Sequence, residues 1–269
     1  MKNRFLRIEC CGVKIEIETS TYEIYRFVKT RLDDIFPGYW QMTTTGSFEH
    51  RFCFLEESEQ FSVFKNDLKI VDADSLEKGF GILESHLRLT VAEFTKQVVF
   101  LHAGVVEWEG KAVIIPGKSF SGKTTLVAEF VKRGCLYLSD EYAIIDKRGL
   151  IHPFPKKLSV RGIIDDFTQK DFDVEQLGGK KGLEPLPAGF LLATEYRRDA
   201  FVAQLSEASV GAGMLACLAN SISIRQQPQL VLEVIGLALA ECRIFQNERG
   251  SAGAFVNLFM EFTGKVEHK

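Results

Sequence analysis

Residues Ala112 to Thr125 read AVIIPGKSFSGKTT. Four apolar residues lead into a glycine-bounded turn that closes on Gly122, Lys123 and Thr124. Leu126, Val127, Phe130 and Val131 then repeat at helical spacing until Gly134. A strand, a G-x-x-x-x-G-K-T loop and a helix in that order form the signature of a phosphate-binding loop. The residue types follow from the chemistry. Gly117 and Gly122 let the backbone curl without a Cβ clash, so that successive amides point at phosphate oxygens. The start of the next helix adds its partial positive charge. Lys123 can reach the terminal phosphates, and the Thr124 hydroxyl can ligate a magnesium ion. Gly117, Lys118, Ser119, Phe120, Ser121, Gly122, Lys123, Thr124 and Thr125 are therefore the expected nucleotide-phosphate set; the alternative is an ordinary glycine-rich turn between strand and helix.

Composition bounds the rest. The chain has 269 residues, 46% hydrophobic and 26% charged, enough for one large domain or two modest ones. A net charge of −3 and an isoelectric point near 6.0 argue against a general nucleic-acid or membrane-surface binder. Six cysteines at positions 10, 11, 53, 135, 217 and 242 include no C-x-x-C pair and no metal-like spacing. They read as reduced and mostly buried, which suits the cytoplasm. The N-terminal MKNRFLRIECCG lacks the apolar run of a signal peptide, and the longest apolar stretch, Leu230 to Ala240, is too short to span a bilayer.

Residues 1–96 read as a small α+β domain. Residues 4–18 alternate about Cys11-Gly12 as a hairpin, Thr21 to Phe36 has a helical apolar face that Pro37-Gly38 ends, 49–72 alternates again, and Ser75 to Lys96 is an amphipathic helix. With no clustered catalytic residue types, this part is expected to be a lid or docking domain. Residues 97–269 form the second domain. VVFLHAGVVEWEGKAVIIPG predicts three short strands with a turn at Glu109-Gly110, and His102 stands at a strand end. CLYLS, ending on Ser139, is a buried strand that runs into Asp140-Glu141.

Lys123 and Asp140 are 17 positions apart. That leaves room for about three turns of helix and a strand of about five residues. A right-handed crossover then places the Asp140 strand in the same parallel sheet as the loop strand, with both carboxyl ends on one edge. Two adjacent acids there can divide the work, one holding nucleotide-bound Mg²⁺ and one accepting a proton from an attacking hydroxyl. A solvated acidic turn is the plainer reading.

His102 in LHAGVV, GKSFSGKT, a helix ending in Arg133-Gly134 and then LSDE together resemble the HPr kinase/phosphorylase superfamily and its smaller relatives. KKLSVRGII, Lys156 to Ile164, is similar to that family's E-I-R-G segment, and His152-Pro153-Phe154-Pro155 to an HPFP segment of its related proteins. The resemblance covers roughly residues 98–165 and extends weakly beyond, to a helix after Leu205-Ser206 with Asn220 at its end. It implies an α/β fold with the P-loop kinase core shared with ATP-dependent phosphoenolpyruvate carboxykinase. It also implies ATP and Mg²⁺ as cofactors. By position, Asp140 becomes the general base and Glu141 a metal ligand with Thr124. Arg161 offsets charge on the transferring phosphoryl group, and His102 falls on the strand-end histidine near the catalytic acid. Two residues depart from the family pattern: Ser159 stands where it has Glu, and Glu141 where it has Asp.

Downstream, Asp165 to Gly189 with its GGKKG run reads as a solvated loop or a lid. GFLLATEYR is a strand ending at Arg197 and Arg198, Pro228 to Ala240 a helix, CRIFQ a strand turned by Asn247 to Gly250, and Ala252 to Phe262 a final amphipathic helix whose apolar stripe serves the core or a homo-oligomer interface. The expected function is transfer of the γ-phosphoryl group of ATP to a serine hydroxyl of a protein or peptide. A kinase for a small hydroxylated metabolite and a non-catalytic nucleotide-binding regulator are the alternatives.

Overall fold

The structure, a computed structural model, describes residues 3–118, 121–161, 169–201 and 204–264, with side chains described for all of these except 159–161 and 169–171. The chain divides into two compact units, Met1–Gln97 and Val98–Lys269.

In the first unit β1 (Arg4–Cys10) and β2 (Val13–Thr19) form a hairpin whose turn is Cys11 and Gly12, both at positive φ. The period-two pattern of β1 buries Leu6, Ile8 and Cys10 and leaves Phe5 and Arg7 outside. The sequence predicts one helix over 21–36. The structure has two, α1 (Tyr22–Lys29) and α2 (Leu32–Ile35), because the Thr30 hydroxyl turns back and donates to the carbonyls of Arg26 and Phe27 at 3.0 and 3.1 Å. Then follow β3 (Trp40–Met42), β4 (His50–Glu57), β5 (Gln60–Lys65), β6 (Leu68–Ala73) and α3 (Leu76–Phe94). The sheet runs β3-β1-β2-β4-β5-β6, antiparallel except for the parallel β2–β4 pair. Ser75 caps α3 by accepting from the Lys78 amide, and the helix buries Phe80, Leu83, Leu87 and Val91.

The second unit runs β7 (Val98–Trp108), β8 (Lys111–Pro116), α4 (Lys123–Lys132), β9 (Tyr137–Ser139), β10 (Tyr142–Asp146), β11 (Leu150–His152), β12 (Leu158–Arg161), β13 (Gln169–Phe172), β14 (Leu186–Tyr196), α5 (Val210–Leu218), α6 (Pro228–Leu239), β15 (Arg243–Arg249) and α7 (Ala252–Gly264). The three short strands expected over 98–116 are two. β7 is continuous because both its halves find partners: Val98–His102 pairs with β10, and Ala103–Trp108 with β8, with β9 joining on its other flank. The predicted parallel sheet is mixed. β8, β14 and β15 are parallel, but β7 stands between β8 and β9 and is antiparallel to both. The hairpin fills one side of β8 and β14 the other, so β9 is left to pair across β7. β8 and β9 still point the same way and end on one edge. The β10–β7 pairing also closes a ring, β7–β8–β14–β11–β10.

Alternation along these strands divides the core. Val105, Ala112 and Ile114 face one way and pack with α5 and α6; Val106, Val113 and Ile115 face the other and pack with α4 and α7. Two further expectations change. Part of the predicted 165–189 loop is regular: β13 pairs with β12, and Val174–Leu177 is a single 3-10 turn capped by Asp173. Residues 162–168 lie outside the described residues. β15 also continues to Arg249 through the predicted turn, because parallel pairing with β14 holds it extended up to Tyr196↔Arg249. All six cysteines are free thiols, four of them buried. Among the described residues no helix is long and apolar enough to cross a membrane.

One acid anchors the β10–β11 turn. Asp146 accepts from the amides of Arg148 and Leu150 at 2.8 and 3.0 Å, and its Oδ2 meets His152 Nε2 at 3.0 Å and the Arg148 guanidinium. Burial alone would raise its pKa; the bonds from His152, the two amides and Arg148 outweigh that and lower it to about 2. A depressed carboxylate stabilises the fold above its ordinary value and loses that contribution as pH falls through the folded value. Asp146→Asn is therefore expected to cost about 1 kcal/mol near neutral pH, after solvent screening. Denaturant titrations of variant and wild type should converge as pH drops from about 4 toward 2; a gap that stays constant over that range would contradict the assignment.

Candidate active site

β8 ends in Pro116, and the G-x-x-x-x-G-K-T stretch links it to α4. Gly122, at φ 81, is the N-cap of α4 and leaves no side chain over the helix start. The first-turn amides thus stay available for an anion. At Gly117 a Cβ would come within 2.5 Å of the Ser121 hydroxyl, so the loop returns close to its own start there. Lys118 and Thr125 are exposed. Ser119 and Phe120 lie outside the described residues. Lys123 is only 7% exposed, and its ammonium donates to the Lys118 carbonyl at 2.9 Å. Burial lowers its pKa, against the opposing pull of Asp140 and Glu141.

The two acids occupy the break between β9 and β10, both of which pair with the same flank of β7. Ser139↔Val105 lies on one side of the break and Tyr142↔His102 on the other. The buried Ser139 hydroxyl sets this corner by accepting from the amides of Glu141 and Tyr142 at 3.1 and 3.0 Å, and the Ala103 amide donates to the Glu141 carbonyl at 3.2 Å. Gly104 lies opposite the break. A Cβ there would meet Val127 at 2.5 Å, so the glycine lets α4 approach the acids.

The acids take different partners. The Thr124 hydroxyl donates to Asp140 Oδ2 at 2.8 Å, while Asp140 Oδ1 is buried without a partner. Burial pushes the Asp140 pKa up to about 7; Thr124 and Lys123 oppose the rise and Glu141 adds to it. Glu141 instead turns its Oε2 to the Lys156 ammonium, 3.3 Å away. His102 sits beside this group on β7. Burial and the nearby Lys123 push it down to about 4, so its imidazole is neutral near pH 7. Its amide donates to the Asn220 carbonyl at 2.9 Å, and its own carbonyl accepts from the Gly117 amide at 3.3 Å. The start of the loop is thereby tied to β7.

Lys123, Thr124, Asp140, Glu141 and His102 therefore come together. The backbone of Arg161 is in β12, which lies against α4; its side chain, like that of Ser159, falls outside the description. Three residues were not foreseen. Ser139 directly before two acids has the pattern of a serine turn, which could have flagged it. Lys156 follows a proline-bounded segment whose Phe154 is buried against Phe100 and Tyr142. Arg249 was hidden in a predicted turn, although Phe245, Asn247 and Arg249 share one face of a strand.

The donor set fits a nucleotide-bound magnesium. Mg²⁺ is commonly held by one or two carboxylates plus substrate phosphates. A hydroxyl joined to a carboxylate that keeps one orphaned oxygen, beside a second acid, is such a partial set.

No family model matches the sequence, and a search of curated proteins finds no match. Among solved structures the chain is similar to the HPr(Ser) kinase/phosphatase from Coxiella burnetii, at 12% identity and a TM-score of 0.35 over 62% of this chain and 98% of that one. That relationship is distant, and the chemistry rests on this chain's own residues.

Proposed function

We propose that the second unit transfers the γ-phosphoryl group of ATP to a hydroxyl acceptor, a serine of a protein or peptide. The observation that carries this is the Thr124–Asp140 hydrogen bond, which joins the G-x-x-x-x-G-K-T loop to an acid whose other oxygen has no partner. Lys123 and the amides at the start of α4 bind and orient the polyphosphate. The acceptor oxygen bonds to the γ-phosphorus, the bond from that phosphorus to the β–γ bridging oxygen breaks, and ADP leaves. The hydroxyl proton passes to Asp140 Oδ1, for which a carboxylate pKa raised toward neutrality is suited. Magnesium, when bound, would offset phosphate charge, with Thr124 and Glu141 as its holders. Neutral His102 orients, and Arg161 offsets charge on the phosphoryl group in flight. The choice of serine rests on the sequence resemblance.

The test is to incubate the protein with γ-labelled ATP, Mg²⁺ and a panel of serine-containing proteins, peptides and small hydroxylated metabolites. Label on serine is the expected result. Label on metabolites alone would move the acceptor to a small molecule. ATP binding with neither transfer nor hydrolysis would leave a regulatory nucleotide-binding protein.

A further inference from the structure

Beneath the loop lies a charge that the reading above does not use. Arg249, the last residue of β15, is 1% exposed. Its Nη2 donates to the Gly122 carbonyl at 2.8 Å and, more weakly, to the Ser121 carbonyl at 3.4 Å; its Nε points at the Thr194 hydroxyl, 3.4 Å away. Its guanidinium carbon lies 5.8 Å from the centroid of the Tyr196 ring. Every one of these partners is neutral. Among the described residues no carboxylate pairs with it, and its chain neighbour Glu248 is turned to Arg197, 3.0 Å away. The fit is close: a Cβ at Gly122 would come within 2.5 Å of Nη2. The second loop glycine therefore serves two needs, its positive φ and the approach of the arginine.

A buried cation without a counter-ion is costly, and burial works against its charge. The carbonyls it holds belong to the residues that open α4, whose amides point away from it. We infer that Arg249 is a positioning residue of the phosphate loop: it fixes the Ser121 and Gly122 carbonyls from below, and the bound polyphosphate is the counter-charge it lacks. This rests on the reading of Gly117–Thr125 as a polyphosphate site and assigns to that site a support from the far end of the chain. Lysine cannot replace the arginine fully, since a single ammonium does not reproduce the planar fork that spans Gly122, Ser121 and Thr194.

The experiment compares the full-length wild type with R249K, R249M and K123A. Affinities for ATP and for inorganic tripolyphosphate are measured by calorimetry, and Tm with and without each. R249M is expected to bind tripolyphosphate at least about tenfold more weakly, with a correspondingly smaller ligand-induced rise in Tm. R249K should fall between R249M and wild type. A merely structural peg would lower the Tm of the free protein and leave both the affinity and the ligand-induced rise unchanged; that result overturns the proposal. Should R249M fail to fold, R249K decides, and wild-type affinity in R249K overturns it equally. Loss of binding in K123A with full binding in R249M refutes the role of Arg249 alone. A wild type that binds neither ATP nor tripolyphosphate refutes the polyphosphate site itself.

Discussion

Asp140→Asn is expected to lower the proposed phosphoryl transfer by about 10²- to 10⁴-fold while leaving ATP bound, because it removes the proposed base from the attacking hydroxyl and leaves Lys123 and the amides at the start of α4 in place. Asparagine keeps the shape of the side chain, and its carboxamide oxygen can still accept from Thr124, whose bond to Asp140 Oδ2 spans 2.8 Å. What disappears is the proton-accepting capacity of Oδ1, the oxygen that is buried with no partner. Single-turnover transfer and the ATP dissociation constant, measured on the same preparation, separate the two effects. A variant that transfers at the wild-type rate would remove Asp140 from the mechanism. The same substitution should leave thermal stability equal or higher, since it replaces a partly unsatisfied buried acid by a neutral group. A large loss of Tm would instead make Asp140 a structural anchor.

The largest expected effect on stability lies in the last helix. Phe259 is completely buried and meets three rings edge-on, Phe130 of α4 at 5.5 Å, Phe190 of β14 at 5.2 Å and Phe245 of β15 at 6.0 Å. It thus joins the loop's own helix to β14, the parallel neighbour of β8, and to β15 beyond it. Truncation to alanine leaves a cavity that these rings, fixed on three different elements, cannot all collapse into. Phe259→Ala should cost about 3–5 kcal/mol. Against a typical total stability of about 5–15 kcal/mol, the variant would be only marginally folded at the low end of that range. Urea titration of the second unit's transition reads this directly; a loss below about 1 kcal/mol would mean that α7 is only loosely docked.

Much of the arrangement of the candidate site could be read from the sequence because its parts are local. The loop, its two glycines, Lys123 and Thr124 lie within one strand–turn–helix, and the short run to Asp140 constrained where the acids could fall. What could not be read is neighbourhood. Spacing required β9 to return in the direction of β8, but it did not say that β7 would stand between them. The break implied by reading 98–116 as three short strands is in truth a change of partners along β7, from β10 to β8 between His102 and Ala103. A strand that trades neighbours part-way looks in sequence like two strands. Arg249 was missed for a related reason: a polar run, Gln246 to Arg249, reads as a turn until a parallel partner, Tyr196↔Arg249 at its end, holds it straight. A division of work between the acids was readable, but their separate partners were not, because that of Glu141 is Lys156, across a loop bounded by prolines.

The ring of β7, β8, β14, β11 and β10 carries a consequence for synthesis. The strand that covers the free flank of β8 is β14, Leu186–Tyr196, made long after the loop itself. A growing chain that has emerged only as far as β11 holds the complete motif on a hairpin with a bare, strongly apolar border, an invitation to pair with another chain. Ribosome-bound or truncated products ending near residue 180 should therefore gather on chaperones or aggregate, and the G-x-x-x-x-G-K-T loop should reach its final shape only when the C-terminal third has arrived to close the circle.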